Sequence, residues 1–204
     1  MLADEINRAT PKTQSALLES MQEKQVTAGN STFKLEKPFF VLATQNPIDQ
    51  EGTDLLPEAQ TERFLLKILV DYSEKKHEIE IVNRYTGILK QQNVKVLLGK
   101  HSLILLQNLA RQMPISNENK QYAVDIVAST REKKDLIEFG ASPRASLALI
   151  LASKAKALID GRKCVTKDDI EEMALPVLRH RIILSFKAER ENKSPDDVIR
   201  SLVK

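Results

Sequence analysis

The sequence predicts an α/β portion followed by an all-α portion. Three observations carry this. The chain changes character near residue 71: before it, apolar runs alternate with Gly and Pro punctuation; after it, helical patterning is almost continuous. Phe39-Phe40-Val41-Leu42-Ala43 is a continuous apolar run of the kind a buried strand shows. Stripes such as Ile79, Val82, Tyr85 and Leu89 recur at helical spacing.

The elements follow in order. Met1 to Ala3 is a short apolar stub that ends in Asp4-Glu5. Thr10-Pro11 opens a helix to about Glu23, with Thr as N-cap, Pro in the first turn, and Leu17, Leu18 and Met21 on one face. Gln25–Thr27 and Thr32–Leu35 flank Gly29-Asn30-Ser31 and read as a hairpin. A strand over 38–44 ends in Thr44-Gln45-Asn46-Pro47, and a loop with Gly52 leads to a short helix from Pro57 to Glu62. Phe64 to Val70 is a second strand. Helices are expected near 74–90, 102–112, 117–132, 143–160, 167–178 and 195–203. Ser116 and Thr166 are N-caps and Gly161 closes a helix. Leu147, Ile150, Leu151, Leu158 and Ile159 fit an apolar stripe along the 143–160 helix.

Composition narrows the function. The chain has 204 residues, 42% hydrophobic and 29% charged, which suits a folded domain or two rather than a disordered chain. A net charge of +3, 4% aromatic residues and no tryptophan argue against nucleic acid as partner. No apolar run nears the ~20 residues of a membrane helix, and one cysteine, Cys164, read as structural, fits a reducing cytoplasm. His77, His101 and His180 are scattered, without metal-site spacing. Residues 179–193 read as a solvated or subunit-contact face.

Five residues carry possible chemistry. Asp4 and Glu5 place carboxylates at the carboxyl edge of a sheet, where one acid can organise Mg²⁺ and the other a water. Alone, such a pair reads as a solvated strand end. Asn46 follows a strand too, and its amide can bond a phosphate or a water; alone it reads as a turn residue before Pro47. Arg63, between a short helix and a strand, suits phosphoryl charge on a neighbouring subunit, or a surface ion pair with Glu58 or Glu62. Arg144 opens a helix after Gly140-Ala141-Ser142-Pro143, where the helix dipole does not favour a cation unless an anion binds there.

The order of these residues resembles the MoxR family of AAA+ ATPases. The resemblance runs through Ala3-Asp4-Glu5-Ile6-Asn7-Arg8-Ala9, the helix from Gln14 to Glu23, Val26-Thr27, Pro38 to Pro47, Glu51-Gly52, Leu56-Pro57-Glu58-Ala59-Gln60 and Arg63-Phe64. It continues in Gly140-Ala141-Ser142-Pro143-Arg144-Ala145 and Val177-Leu178-Arg179-His180-Arg181-Ile182. It implies an incomplete P-loop NTPase core over 1–70 and a helical lid domain over 71–204. It implies ATP and Mg²⁺ as cofactors, with Asp4 as the Walker B acid that supports Mg²⁺ and Glu5 as the one that activates water. Asn46 would be sensor 1, Arg63 the arginine finger, and Arg144 sensor 2. The hairpin would be the family's insertion before sensor 1. Thr61-Glu62 departs from the family's apolar residue and Asp, a change not expected to abolish function. The resemblance further implies a hexameric ring and chaperone-like remodelling of client proteins, often with von Willebrand factor A domain partners.

One departure is larger. Glycines stand at 29, 52, 87, 99, 140 and 161, so no Gly, four residues, Gly-Lys-Ser/Thr segment exists in these residues. The family's strand order 5-1-4-3-2 would leave strand 5 (64–70) without its neighbour. The expectation is a chain that starts inside the Walker B strand, with the helical part the more stable unit. Two other readings stay open: a non-catalytic interaction module that binds intact subunits, and a related machine such as a magnesium-chelatase subunit.

Overall fold

The computed structural model describes residues 1–46, 57–87 and 94–203. Pro47, Glu51, Gly52 and Leu56, the loop expected around Gly52, Leu89, and the helix end expected at 88–90 lie outside the described residues.

The chain begins with β1 (Leu2–Ala3) and a 3₁₀ turn (Ile6–Arg8), then α1 (Pro11–Glu23). Thr10 caps α1, its hydroxyl accepting from the Thr13 N–H. β2 (Gln25–Ala28) and β3 (Ser31–Lys34) form an antiparallel hairpin with Thr27 opposite Thr32. Gly29, at φ +60°, takes the left-handed turn position that a side chain would resist. β4 (Leu42–Ala43) pairs in parallel with β1, Leu2 opposite Leu42 and Ala3 opposite Ala43. Ile6 and Leu17 are buried against Ala3, Met21, Val41 and Ala43 in a small core beneath this pair.

The helices follow: α2 (Glu58–Thr61), α3 (Lys75–Thr86), α4 (Lys100–Gln112), α5 (Asn117–Glu132), α6 (Pro143–Ile159), α7 (Lys167–Leu178), α8 (Phe186–Arg190) and α9 (Pro195–Leu202). A short antiparallel pair, β5 (Ile137–Phe139) with β6 (Ile183–Leu184), closes one side of the bundle. The main core lies here: Val127, Ile137, Leu149, Ile170, Val177, Leu178 and Ile199 are fully enclosed. The α/β portion followed by a helical lid-like portion is the expected fold class.

Three expectations are corrected and one is refined. No strand forms over 64–70: among the described residues no strand lies beside it, and its backbone bonds to the helical bundle instead. The 38–44 strand shortens to two residues, and Phe40 and Leu42 stay exposed, because one edge and one face of β4 have nothing against them among the described residues. In α6 only part of the stripe turns inward: Ile150 and Leu158 pack against the core. Leu147 and Ile159 face solvent, while Ala145, Ala148, Leu149, Ala152 and Ala157 face the core. Apolar side chains are spread around α6 rather than gathered on one face, so periodicity could not choose its buried face. Cys164 is an exposed free thiol rather than a packed one. None of the described helices is long and apolar enough to cross a membrane.

Candidate functional site

Asp4 and Glu5 directly follow β1 and Asn46 stands three residues past β4, so all three lie beyond the carboxyl ends of the parallel pair. Thr44 joins the two acids. Its hydroxyl accepts from the Glu5 N–H at 2.9 Å and donates to the Asp4 carboxylate. The ladder continues past both strands, with Thr44 N–H to Ala3 O at 3.0 Å and Ile6 N–H to Thr44 O at 3.0 Å. Asn46 is drawn in by the side-chain amide of the buried Asn7, which reaches its carbonyl at 3.5 Å.

Glu5 itself sits at φ 46°, ψ 53°, the left-handed region. A non-glycine residue there costs about 1–2 kcal/mol, and such strain concentrates at working sites. The turn aims the Glu5 carboxylate away from the strand. There it pairs with the Arg8 Nε at 3.1 Å, with both side chains about two-fifths exposed. An exposed pair of this kind contributes about 0–1 kcal/mol, so water displaces it easily. Asp4 is exposed beside it. A single exposed carboxylate with an adjacent hydroxyl fits Mg²⁺, which keeps most of its waters and takes one or two carboxylates plus phosphates. No group of three or more side-chain metal ligands occurs among the described residues.

Arg63 and Arg144 are placed on other elements. Arg63 leaves the end of α2 and donates through Nη1 to Gln22 on α1. Arg144 stands in the first turn of α6, where Ser142 caps its N–H at 3.3 Å. Its Nη1 faces the Glu62 carboxylate at 3.7 Å, which offsets the unfavourable helix dipole. Gly140 sets the entry to this turn: a Cβ there would stand 2.6 Å from the Thr130 carbonyl oxygen. The buried Thr130 hydroxyl meanwhile accepts from the Ala141 N–H at 3.0 Å.

Relatives decide the family. Residues 1–66 match the model of the ATPase family associated with various cellular activities (AAA), and residues 129–202 match the AAA lid domain. The chain is 44% identical to Chaperone MoxR1 of Mycobacterium tuberculosis, an alignment that covers 100% of this chain and 55% of that protein. This chain belongs to the MoxR family of AAA+ ATPases. It is also 39% identical to the protein YeaC of Bacillus subtilis, covering 100% of this chain and 63% of that one. A crystal structure of a Cytophaga hutchinsonii protein assigned as an ATPase superposes with a TM-score of 0.91 at 40% identity, covering 99% of this chain and 64% of that chain. The chain thus spans between about half and two thirds of the length of these relatives.

In this MoxR-family chain the basic run Arg179-His180-Arg181, expected on a solvated or subunit-contact face, instead bonds to residues of its own chain. It follows the C-terminus of α7, where cations complement the dipole and the last carbonyls lack partners. The Pro176 carbonyl there accepts from Lys67 N–H at 2.8 Å. Arg179 forms a bidentate pair with Asp196 at 3.0 and 2.8 Å. His180 Nε2 lies 3.0 Å from the Phe64 carbonyl, which can only accept, so Nε2 carries the proton. The signal that could have found this run is three bases directly after a helix end.

Burial, and then the Arg181 guanidinium, push the His180 imidazole down to about 4. An unfolded histidine titrates near 6.5. Between these values the unfolded chain binds a proton that the folded chain refuses. His180 therefore leaves stability intact above about pH 6.5 and removes roughly 3 kcal/mol as pH falls to about 4. Urea unfolding at pH 7.5 and pH 4.5 is expected to show a smaller loss in His180→Gln than in the unaltered chain.

Proposed function

We propose that this chain carries the hydrolytic edge and the lid of an ATP-hydrolysing MoxR-type machine that remodels or matures client protein complexes. The carrying observation is that the Thr44 hydroxyl joins the Asp4 carboxylate and the Glu5 N–H at the strand ends, with Asn46 two residues farther on and bonded through its carbonyl to Asn7. Asp4 would hold Mg²⁺ through water, and bound Mg²⁺ would neutralise phosphate charge. Glu5 orients the attacking water and takes its proton. Asn46 bonds the terminal phosphate or that water. Arg144 contacts the phosphates from the lid, and Arg63 acts on the nucleotide of a neighbouring subunit. An arginine with such a role requires an oligomer, and the family resemblance supports a hexameric ring. The name of the Mycobacterium tuberculosis relative supports chaperone-like work. Clients with a von Willebrand factor A domain and a cytoplasmic setting complete this reading. The domain division at residue 70 is part of it, as residues 1–70 bring Asp4, Glu5, Asn46 and Arg63, and residues 71–204 bring Arg144.

A second reading has its own observation. The sequence holds no phosphate-cradling Gly-Lys-Ser/Thr segment, so the chain would act as a non-catalytic module that binds nucleotide-loaded subunits. One experiment separates the two. The purified chain is expected to hydrolyse ATP negligibly by itself. Added to a P-loop-bearing MoxR relative whose own arginine finger is removed, it is expected to restore phosphate release. Binding to that relative without restored release favours the module reading.

A further inference from the structure

We propose that Arg181 is a positioning residue for Arg63: its buried guanidinium grips the peptide carbonyls on both sides of Arg63 and fixes where that residue stands. The inference rests on the reading of Arg63 as the group that acts on a neighbour's nucleotide.

The geometry is specific. Arg181 Nη2 donates to the carbonyls of Glu62, at 3.2 Å, and Phe64, the two residues that bracket Arg63. Its Nη1 donates to Leu65 O at 3.2 Å and to Val177 O in the last turn of α7. The neighbouring bases extend the grip. His180 Nε2 shares the Phe64 carbonyl, and Arg179 Nη1 reaches Lys67 O at 3.2 Å while Asp196 on α9 holds Arg179. Three consecutive residues after α7 thus take four carbonyls of the segment 62–67.

Other ties to this segment are single bonds, such as Lys67 N–H to Pro176 O at 2.8 Å and Arg63 to Gln22, whereas Arg181 takes three of its carbonyls at once. Among the described residues it has no strand ladder, and of its apolar side chains Leu65 and Leu66 are exposed while Phe64 is only partly buried. Arg181 by contrast is 8% exposed. Only arginine suits the task, since its planar fork spreads five N–H donors where lysine offers a point charge. Glu62 adds a second tie by facing Arg144 of α6 at 3.7 Å. Arg63 of the first portion and Arg144 of the lid, the two guanidiniums assigned to phosphate, are therefore linked through Glu62. A lid movement driven by nucleotide at one would carry the other with it. A displacement near 1 Å is enough to cost about 100-fold in rate.

Hydrogen exchange of the full chain tests the grip. In Arg181→Met, amides of residues 63–67 are expected to exchange about tenfold faster, with α6 unchanged. Unchanged exchange at 63–67 overturns the proposal. Should Arg181→Met loosen the whole bundle, Arg181→Lys decides. Faster exchange confined to 63–67 supports the proposal, and equal loosening of α6 and α7 overturns it. The mixed assembly with a finger-deficient, P-loop-bearing relative supplies the second readout. There Arg181→Met is expected to lower turnover about tenfold with the KM for ATP unchanged. Turnover lost in Arg63→Ala but intact in Arg181→Met overturns the positioning role. If neither substitution changes turnover while 63–67 still loosens, the grip stands and the reading of Arg63 falls.

Discussion

Asp169→Ala is expected to lower the stability of the helical portion by about 3 kcal/mol, a thermal midpoint shift of roughly 10 °C for a chain of this size. The reason is how much one enclosed carboxylate does. Asp169 is 1% exposed. One of its oxygens accepts from the Thr166 N–H at 2.8 Å and the Thr166 hydroxyl at 2.9 Å, closing the capping box of α7. The other pairs with Arg162 just after α6. Alanine leaves a helix-start N–H without its partner, worth about 1 kcal/mol, and removes a hydrogen bond between charged groups, worth about 1.5–3 kcal/mol. Arg162 keeps its contact with Asp160 at 2.7 Å, so it is not left unpaired and the cost stops short of a fully orphaned ion. Asp169→Asn retains an acceptor for Thr166 but turns an amide N–H₂ toward one of the donors. Its loss is expected to be about half as large. Thermal unfolding followed by circular dichroism checks both values. Equal midpoints for the unaltered chain and Asp169→Ala would contradict the assignment.

Asp169 also illustrates what the sequence makes legible. Helix starts announce themselves locally: Thr10-Pro11, Ser116 and Thr166 all precede helices, and Ser116 accepts from Asn119 N–H at 3.1 Å. Caps are short-range chemistry, so a few residues suffice to read them. The stretch 64–70 fails for the opposite reason. Its apolar, β-prone residues describe a strand, but a strand exists only beside another strand. Arg179, His180 and Arg181 were misread because their acceptors lie more than a hundred residues upstream, and charge alone says nothing about distant carbonyls. The acids and Asn46 were legible as strand-end residues. That Thr44 joins the acids was not, since a threonine after a strand has no local mark of its partner 40 positions away.

Arg63→Ala is expected to reduce ATP turnover in the mixed assembly by about 10³-fold or more. Phosphoryl transfer spreads charge over the equatorial oxygens, and a guanidinium supplied from across an interface stabilises that charge more than it stabilises bound ATP. The loss therefore falls on kcat, with the KM for ATP nearly unchanged. Arg63→Lys is not expected to restore the rate, because an ammonium cannot bridge two phosphate oxygens as the planar fork does. Stability gives the control. Arg63 is only partly buried, and its bond to the exposed Gln22 ties it to α1 of its own chain. Removing that contact is expected to cost about 1 kcal/mol, far below what unfolding the bundle requires. Gln22→Ala separates the contact from the chemistry further. It deletes this acceptor while keeping the guanidinium, and is expected to keep turnover within about twofold. Turnover that survives Arg63→Ala would take the phosphate-directed role from this residue. The 62–67 segment would then be a docking element held by the lid, and the module reading would gain what the enzyme reading loses.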